Sequence, residues 1–176
     1  MKKYLPLILL GVGLLIVVGA FVFVKNSKNK TPQAEEEITK EIPADERPTV
    51  SLIPTADGHY LKLTISDIKV KKAASVDYLL LYNLEDGRSQ GVPGTAQITG
   101  EDIVKDLLLG SESNGKFRYD EGVTGGTVTL TFRDGNKKLV GKITTQFTMT
   151  SPKKGVYEVI MDTFTQGTKT FSSSDN

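Results

Sequence analysis

The chain has 176 residues, a formal net charge of +1 and 24% charged residues. This length suits one domain of ordinary size with short additions, and the balanced charge argues against a globally basic nucleic-acid binder, so no nucleic-acid partner is expected. The absence of cysteine excludes disulfides, thiolate catalysis, cysteine-ligated zinc, iron–sulfur clusters and a lipoprotein anchor.

Residues 1–24 are predicted to form a transmembrane anchor. Residues 4–24 carry no charge, and a helix of that length spans about 31 Å, close to the ~30 Å hydrocarbon core of a bilayer. The alternative is a cleaved signal peptide, with Val18-Gly19-Ala20 as the cleavage site. The apolar run is longer than a typical hydrophobic region of about 7 to 15 residues, which favours the uncleaved anchor.

Lysines lie on both sides of this run, so their count alone does not orient it. The short N-terminal segment with Lys2 and Lys3 is typical of an export signal, which predicts an N-terminus inside the cell and a C-terminal domain outside it. Residues 25–48 are polar, contain prolines at positions 32, 43 and 48, and lack a periodic apolar pattern. They are therefore predicted to be a flexible, disordered linker between the anchor and the domain.

Residues 49–171 show repeated strand patterns. A first strand, "TVSLI", ends at Pro54 and the Asp57-Gly58 turn. In "YLKLTISDIKV" the apolar positions change parity at Ser66-Asp67, which predicts a bulge or bend there. "VDYLLLYNL" is apolar at both parities, which predicts a strand covered on both faces. Asp86-Gly87 is expected to end that strand.

The second half of this region contains a predicted hairpin. "TVTLTF" and "LVGKITTQFTM" alternate strictly and are joined by Asp134-Gly135-Asn136. A last strand, "VYEVIMDTF", is expected to lie partly at the centre of its sheet. Residues 91–115 fit either a helical turn or a strand, and the flanking strand signals favour a strand, with a loop over residues 110–115. Residues 172–176 are predicted to be a disordered tail.

Seven or eight short strands separated by turns predict an antiparallel two-layer sandwich. The "GTVTLTFRDGNKKLVGK" hairpin resembles the late hairpin of immunoglobulin-like or fibronectin-III-like domains found on bacterial cell surfaces. The resemblance implies an all-β, immunoglobulin-like sandwich over residues 49–171. It carries over no ligand mode, because the Cys…Trp…Cys signature of antibody domains is absent. An open or closed barrel is the rival arrangement.

No residue is predicted to be catalytic, cofactor-binding or metal-binding. The only histidine, His59, follows an Asp-Gly turn and is expected to be a turn residue in place of a triad base. A single histidine without cysteine does not form a usual zinc site. The adjacent carboxylates of Asp120-Glu121 and Glu101-Asp102 would point to opposite faces of a strand, which argues against acid–base partnership.

Three further patterns in the sequence are candidate binding sites. Gly125-Gly126 precedes a strand pattern in place of the helix that follows a phosphate-binding loop. Calcium at a loop rim is an alternative role for the carboxylates at positions 86, 120, 121 and 134, although the spacing of a calcium-binding loop is absent. Lysines at positions 69, 71, 72, 137, 138, 153 and 154 fall near strand ends, where they either form a basic rim for a partner or protect sheet edges from aggregation.

The sequence thus predicts a single-pass cell-membrane protein whose extracytoplasmic domain is a non-catalytic binding, adhesion or spacer module, not an enzyme. The expected partners are the lipid bilayer, through residues 4–24, and an envelope protein or polymer. No cofactor is expected. The alternative is a structural subunit of a membrane-embedded envelope, secretion or pilus-like assembly, in which the glycines at positions 11, 13 and 19 allow close helix packing.

Overall fold

A computed structural model describes residues 41–175, and this part of the chain is built from β-strands. Two short 3₁₀ turns, η1 (Ala44–Glu46) and η2 (Ser173–Asp175), flank the strands. The strands are β1 (Thr49–Pro54), β2 (Tyr60–Ser66), β3 (Ser75–Leu84), β4 (Ser89–Gln97), β5 (Ile103–Leu108), β6 (Gly110–Ser113), β7 (Lys116–Tyr119), β8 (Val123–Arg133), β9 (Leu139–Lys153), β10 (Val156–Asp162) and β11 (Thr168–Ser172).

The strands form two larger antiparallel sheets and a separate hairpin. One sheet has six strands in the order β11-β10-β9-β8-β3-β4, the other has three in the order β1-β2-β5, and β6 pairs only with β7. The inward side chains of both larger sheets belong to one buried apolar cluster. The predicted all-β, antiparallel, sandwich-like class is therefore confirmed. The strand count exceeds the predicted seven or eight, partly because β6 lies in a predicted loop and β11 was missed.

The predicted hairpin is confirmed as β8 and β9. Its partners run from Gly125↔Thr148 to Arg133↔Leu139, and the inward positions of both strands are buried. The Asp134 carboxylate closes the turn, because its Oδ1 accepts hydrogen bonds from the backbone N–H groups of Asn136 and Lys138. The last predicted strand, β10, lies between β9 and β11, so its expected central position is also confirmed.

Two local predictions of bends and strands are confirmed as well. Strand β2 ends at Ser66, and Asp67 adopts a φ of 53°, so the strand is interrupted where the apolar parity changes. Residues 91–115 contain strands, with β4, β5 and β6 in this stretch. The predicted loop over residues 110–115 is wrong, because β6 occupies Gly110–Ser113.

The prediction that β3 is covered on both faces is wrong. Its inward residues Leu80 and Tyr82 are fully buried, whereas Leu81 on the outer face is 44% exposed. Gly91 of β4 lies beneath the outer leucines, and a Cβ built on it would come within 3.1 Å of Leu81. The outer leucines therefore pack on a neighbouring glycine and are only partly shielded from solvent.

The packed domain extends past both predicted boundaries. Ile42 is 3% exposed and belongs to the core cluster, while the Arg47 Nε donates to its carbonyl oxygen at 3.0 Å. Residues 41–48 therefore pack against the sandwich, although they were assigned to the linker. At the other end Ser173 is buried, and its hydroxyl accepts a hydrogen bond from the Tyr157 N–H at 3.2 Å. Residue 173 is thus part of the fold and not of a free tail.

Within residues 41–175 no helix is long and apolar enough to cross a bilayer. The predicted anchor at residues 1–24 and the linker up to residue 40 lie outside the described residues.

Candidate binding site

A cavity of about 520 Å³ opens at one end of the sandwich. The turn between β1 and β2, the end of β3, the segment between β7 and β8 and the paired ends of β9 and β10 meet there. Four carboxylates line it: Asp57, Glu85, Asp120 and Glu121. Tyr157 closes one side, because its ring lies against Gly58, where an added Cβ would come within 2.5 Å of the ring.

The β6–β7 hairpin projects beside this cavity. Ser113 pairs with Lys116, so the connection has only two residues, Asn114 and Gly115, with φ values of 52° and 73°. Positive φ at both central positions is the geometry that Asn-Gly supplies in tight hairpins. Since side chains alternate along a strand, Phe117 and Tyr119 lie on the same face of β7.

An aromatic row, formed by His59, Tyr60, Phe117 and Tyr119, runs from the hairpin to the start of β2. The Tyr119 ring stacks on the His59 ring with centroids 3.6 Å apart and planes within 3°. Phe117 lies parallel to Tyr119 at 6.1 Å, and Tyr60 meets Tyr119 edge-on at 6.4 Å. Phe117 and Tyr119 are 48% and 37% exposed, so the row presents aromatic surface to solvent.

Backbone pairing fixes the row to the rest of the domain. The register of β2 with β5 places Tyr60 opposite Leu108, and the next N–H, that of Leu109, donates to the His59 carbonyl at 2.8 Å. The Asp120 N–H in turn donates to the Leu109 carbonyl at 2.9 Å. These bonds join the ends of the hairpin to the β1–β2 turn, so the rings are held by paired backbone on both sides.

A buried hydrogen bond supports the floor of the cavity. The Tyr82 hydroxyl donates to Asp120 Oδ2 at 2.7 Å, and the Asp120 side chain is only 7% exposed. Burial raises the pKa of Tyr82 above its usual value, and the hydrogen bond to the Asp120 carboxylate and its negative charge raise it further. Tyr82 therefore stays protonated and serves as a permanent donor to that carboxylate.

The carboxylate of Asp57 is fixed beside the aromatic row. The Thr55 hydroxyl donates to it at 2.6 Å and the His59 N–H at 3.0 Å, and these two bonds lower the pKa of Asp57. Partial burial raises the pKa of Tyr60, as do the neighbouring Tyr119 and the charges of Asp57 and Glu112. Carboxylates of Asp57 and Glu112 thus lie close to the Tyr60 end of the row.

The predicted turn role of His59 is observed, since it follows the turn and its Nδ1 lies 3.2 Å from Asp57 Oδ2. Two of the possible calcium ligands, Asp86 and Asp120, lie near one another. The Arg88 guanidinium contacts both carboxylates, with Nε 2.7 Å from Asp86 Oδ2 and Nη1 3.9 Å from Asp120 Oδ1. Asp134 lies at the opposite end, in the β8–β9 turn. Among residues 41–175 no group of three or more histidines and carboxylates is arranged to hold a metal ion.

The predicted Gly125-Gly126 motif lies within β8, paired to β9 on one side and to β3 on the other. The motif therefore belongs to a strand and not to a loop.

The lysines near strand ends do not form one rim. Lys72 and Lys138 line the same depression at one end of the sandwich, whereas Lys153 lies at the far end of β9. Lys71 forms an ion pair with Glu46 at 2.8 Å.

The aromatic row was not predicted from the sequence. Its members come from positions about 60 residues apart, and no local pattern links the β1–β2 turn to the hairpin. The signal that was available is Asn114-Gly115 followed by the alternating "KFRY", which is the pattern of a tight hairpin with both aromatics on one face.

No family model matches this chain, and no curated protein or solved structure shows significant similarity to it.

Proposed function

We propose that the chain is a single-pass membrane protein whose extracytoplasmic, immunoglobulin-like domain is a non-catalytic binding module. The observation that supports it is the aromatic row, which presents Phe117 and Tyr119 to solvent beside a cavity of about 520 Å³. Aromatic side chains are enriched at protein interfaces, and exposed apolar surface next to a polar rim is typical of interaction sites.

The geometry gives little support to catalysis. His59 has a carboxylate neighbour, because its Nδ1 lies 3.2 Å from Asp57 Oδ2, and one face of its ring is covered by the Tyr119 ring. A triad would also need a nucleophile within hydrogen-bond reach of this histidine. The buried carboxylate of Asp120 accepts its hydrogen bond from Tyr82. This bond fixes the position of the Asp120 carboxylate at the cavity.

Membrane attachment is proposed from the sequence of residues 4–24, and the immunoglobulin-like class from two antiparallel sheets around one core. In this arrangement the domain presents the aromatic row to another envelope component. Protease added to intact cells is expected to remove the C-terminal domain. A domain that stays protected until the membrane is permeabilised would contradict the proposed orientation.

Site-specific photocrosslinking tests the binding role. A photoreactive phenylalanine analogue placed at position 117, on the aromatic row, is expected to capture the same partner repeatedly in intact cells. The matched control is position 160, where Ile160 is 41% exposed on the outer face of the six-stranded sheet. Equal capture from both positions, or no recurrent product from position 117, would contradict a specific surface on the hairpin.

Replacing the anchor distinguishes the binding module from the alternative, a structural subunit packed within the membrane. An unrelated apolar helix in place of residues 4–24 should preserve crosslinking from position 117. Loss of the crosslink in a chain that still reaches the membrane would favour the structural subunit.

A further inference from the structure

We infer that the aromatic row and the adjoining acidic cavity bind an extended basic segment of a partner protein, with arginine or lysine side chains against the exposed rings. This inference rests on the proposed binding function and adds the chemistry of the partner.

Charge complementarity selects this occupant. The cavity is lined by Asp57, Glu85, Asp120 and Glu121, and none of the described residues that line it is a lysine or an arginine. Arg88 approaches Asp120 to 3.9 Å and offsets part of one charge, which leaves the lining acidic. An anionic polymer would be repelled by this surface, and a neutral glycan would gain no charge attraction from it.

The aromatic row supplies the second part of the recognition. Cations are attracted to the faces of tyrosine and phenylalanine rings, and a planar guanidinium also stacks on them. Phe117 is the most exposed ring of the hairpin, and Glu112 lies directly opposite it on β6. A basic side chain over Phe117 would therefore meet an aromatic face and a carboxylate together.

The two parts are continuous, which favours an extended segment over a single small cation. His59 lines the cavity and also stacks on Tyr119 at 3.6 Å, so the acidic cavity leads directly to the rings. A segment that places one basic side chain in the cavity can place another on the hairpin. The basic residues of the hairpin, Lys116 and Arg118, alternate with the aromatics and lie on its opposite face.

Peptide binding to the full chain tests the inference. The protein is placed in phosphatidylcholine nanodiscs, whose zwitterionic lipid does not itself attract a basic peptide, and empty nanodiscs are the blank. The probes are a fluorescent peptide that alternates arginine and glycine and the same peptide with glutamate in place of arginine. Fluorescence anisotropy is expected to show binding of the arginine peptide alone, with an affinity that falls as salt rises.

Matched variants locate the binding. Phe117→Ala is expected to weaken the arginine peptide about two- to five-fold, the range of a cation–π contact at an exposed site. Glu121→Gln should weaken it by up to about five-fold. Two variants serve as controls. Ile160→Ala changes an exposed apolar residue on the outer sheet face, and Glu101→Gln changes an exposed acid at the opposite end of β5. Both variants should bind the arginine peptide as tightly as the unaltered chain does.

Three outcomes would overturn the inference: no binding of the arginine peptide, equal binding of the glutamate peptide, or equal losses from Glu101→Gln and Glu121→Gln. A neutral N-acetylglucosamine oligomer provides a further arm. If it binds in place of the peptide and Phe117→Ala abolishes that binding, the basic partner is wrong while the binding module stands. If the crosslink from position 117 also fails, the proposed function itself is wrong.

Discussion

The hydroxyl of Tyr82 is the polar end of a fully buried side chain, and its hydrogen bond to Asp120 joins the core to the cavity. Tyr82→Phe would leave the Asp120 carboxylate with little solvent exposure and without that donor. A hydrogen bond to a charged group contributes about 1.5 to 3 kcal/mol, so we expect a loss of that size in the free energy of unfolding, measured by chemical denaturation.

Tyr78→Phe is the matched control for this change. Tyr78 lies on the same strand and face, but its hydroxyl forms no hydrogen bond within the described part of the chain. Removal of that hydroxyl should change the unfolding free energy little. If the two variants were equally stable, the Tyr82–Asp120 bond would not contribute to folding.

Gly126 lies where the neighbouring strands leave no room for a side chain. It pairs with Tyr82 on one side and Phe147 on the other, and a Cβ added to it would collide with the Leu81 carbonyl oxygen. Because backbone cannot rotate away, Gly126→Ala should cost about 1 to 3 kcal/mol, the usual range for overpacking. Gly135→Ala, in a turn with no atom within 4 Å of the added Cβ, should be nearly neutral. Thermal unfolding of both variants checks the difference.

The segment before β1 is the element whose role differs most from its sequence pattern. Ile42 enters the core, and η1 is tied to the loop after β2 by the Glu46–Lys71 ion pair. Removing a buried isoleucine side chain to alanine typically costs about 2 to 5 kcal/mol. We expect Ile42→Ala to destabilise the domain by that amount in urea denaturation, and Ile160→Ala, on the exposed outer face, to change it far less.

A flexible linker that reaches residue 48 would give the opposite result, since Ile42→Ala would then leave the midpoint unchanged. The sequence predicts such a linker because a single isoleucine among prolines and charged residues does not form a periodic apolar pattern. Its burial depends on a surface created by strands far along the chain, including the bridge from Glu41 to Lys142.

The elements that sequence predicted well are those specified locally. The β8–β9 hairpin follows from strict alternation on both sides of an Asp-Gly turn, and a slip of one residue would expose its whole apolar face. The aromatic row is different, since Tyr60 and Tyr119 meet through the β2–β5 register and the backbone bonds that Leu109 forms with His59 and Asp120. Contacts between residues far apart in the sequence produce no local sequence pattern. The strands could therefore be predicted from the sequence, but the aromatic row could not.

The two ends of the sandwich have different surfaces. The end with the β1–β2 turn, the β6–β7 hairpin and the β9–β10 turn holds the cavity and the aromatic row. The other end holds the β8–β9 turn and a depression beside Lys72 and Lys138. One end of the domain is therefore acidic and aromatic, whereas the depression at the other end is lined by lysines and Asp134.

Acid sensitivity is also a property of the whole domain. Hydrogen bonds from Lys71 lower the pKa of Glu46, and those from Arg88 lower that of Asp86. For Asp77 partial burial acts to raise the pKa, but hydrogen bonds from Arg133 and Thr95 outweigh it and the net change is downward. In each case the folded protein holds the ionised form more strongly than the unfolded chain does.

The sign of the pH dependence follows from these directions. A carboxyl with a lowered folded pKa stabilises the fold fully above its unfolded value, near 3.8 for aspartate and 4.5 for glutamate, and loses this contribution as pH falls through the folded pKa. We therefore expect the urea midpoint to be steady near neutrality and to fall below about pH 4. Asp77→Asn should lower the midpoint at pH 7 and flatten the acid decline, because the variant has no proton to take up at this site. Asp102→Asn removes a carboxylate in the exposed loop before β5 and is the matched control for the change of charge. An acid slope equal in all three proteins would contradict the role of the Asp77–Arg133 pair.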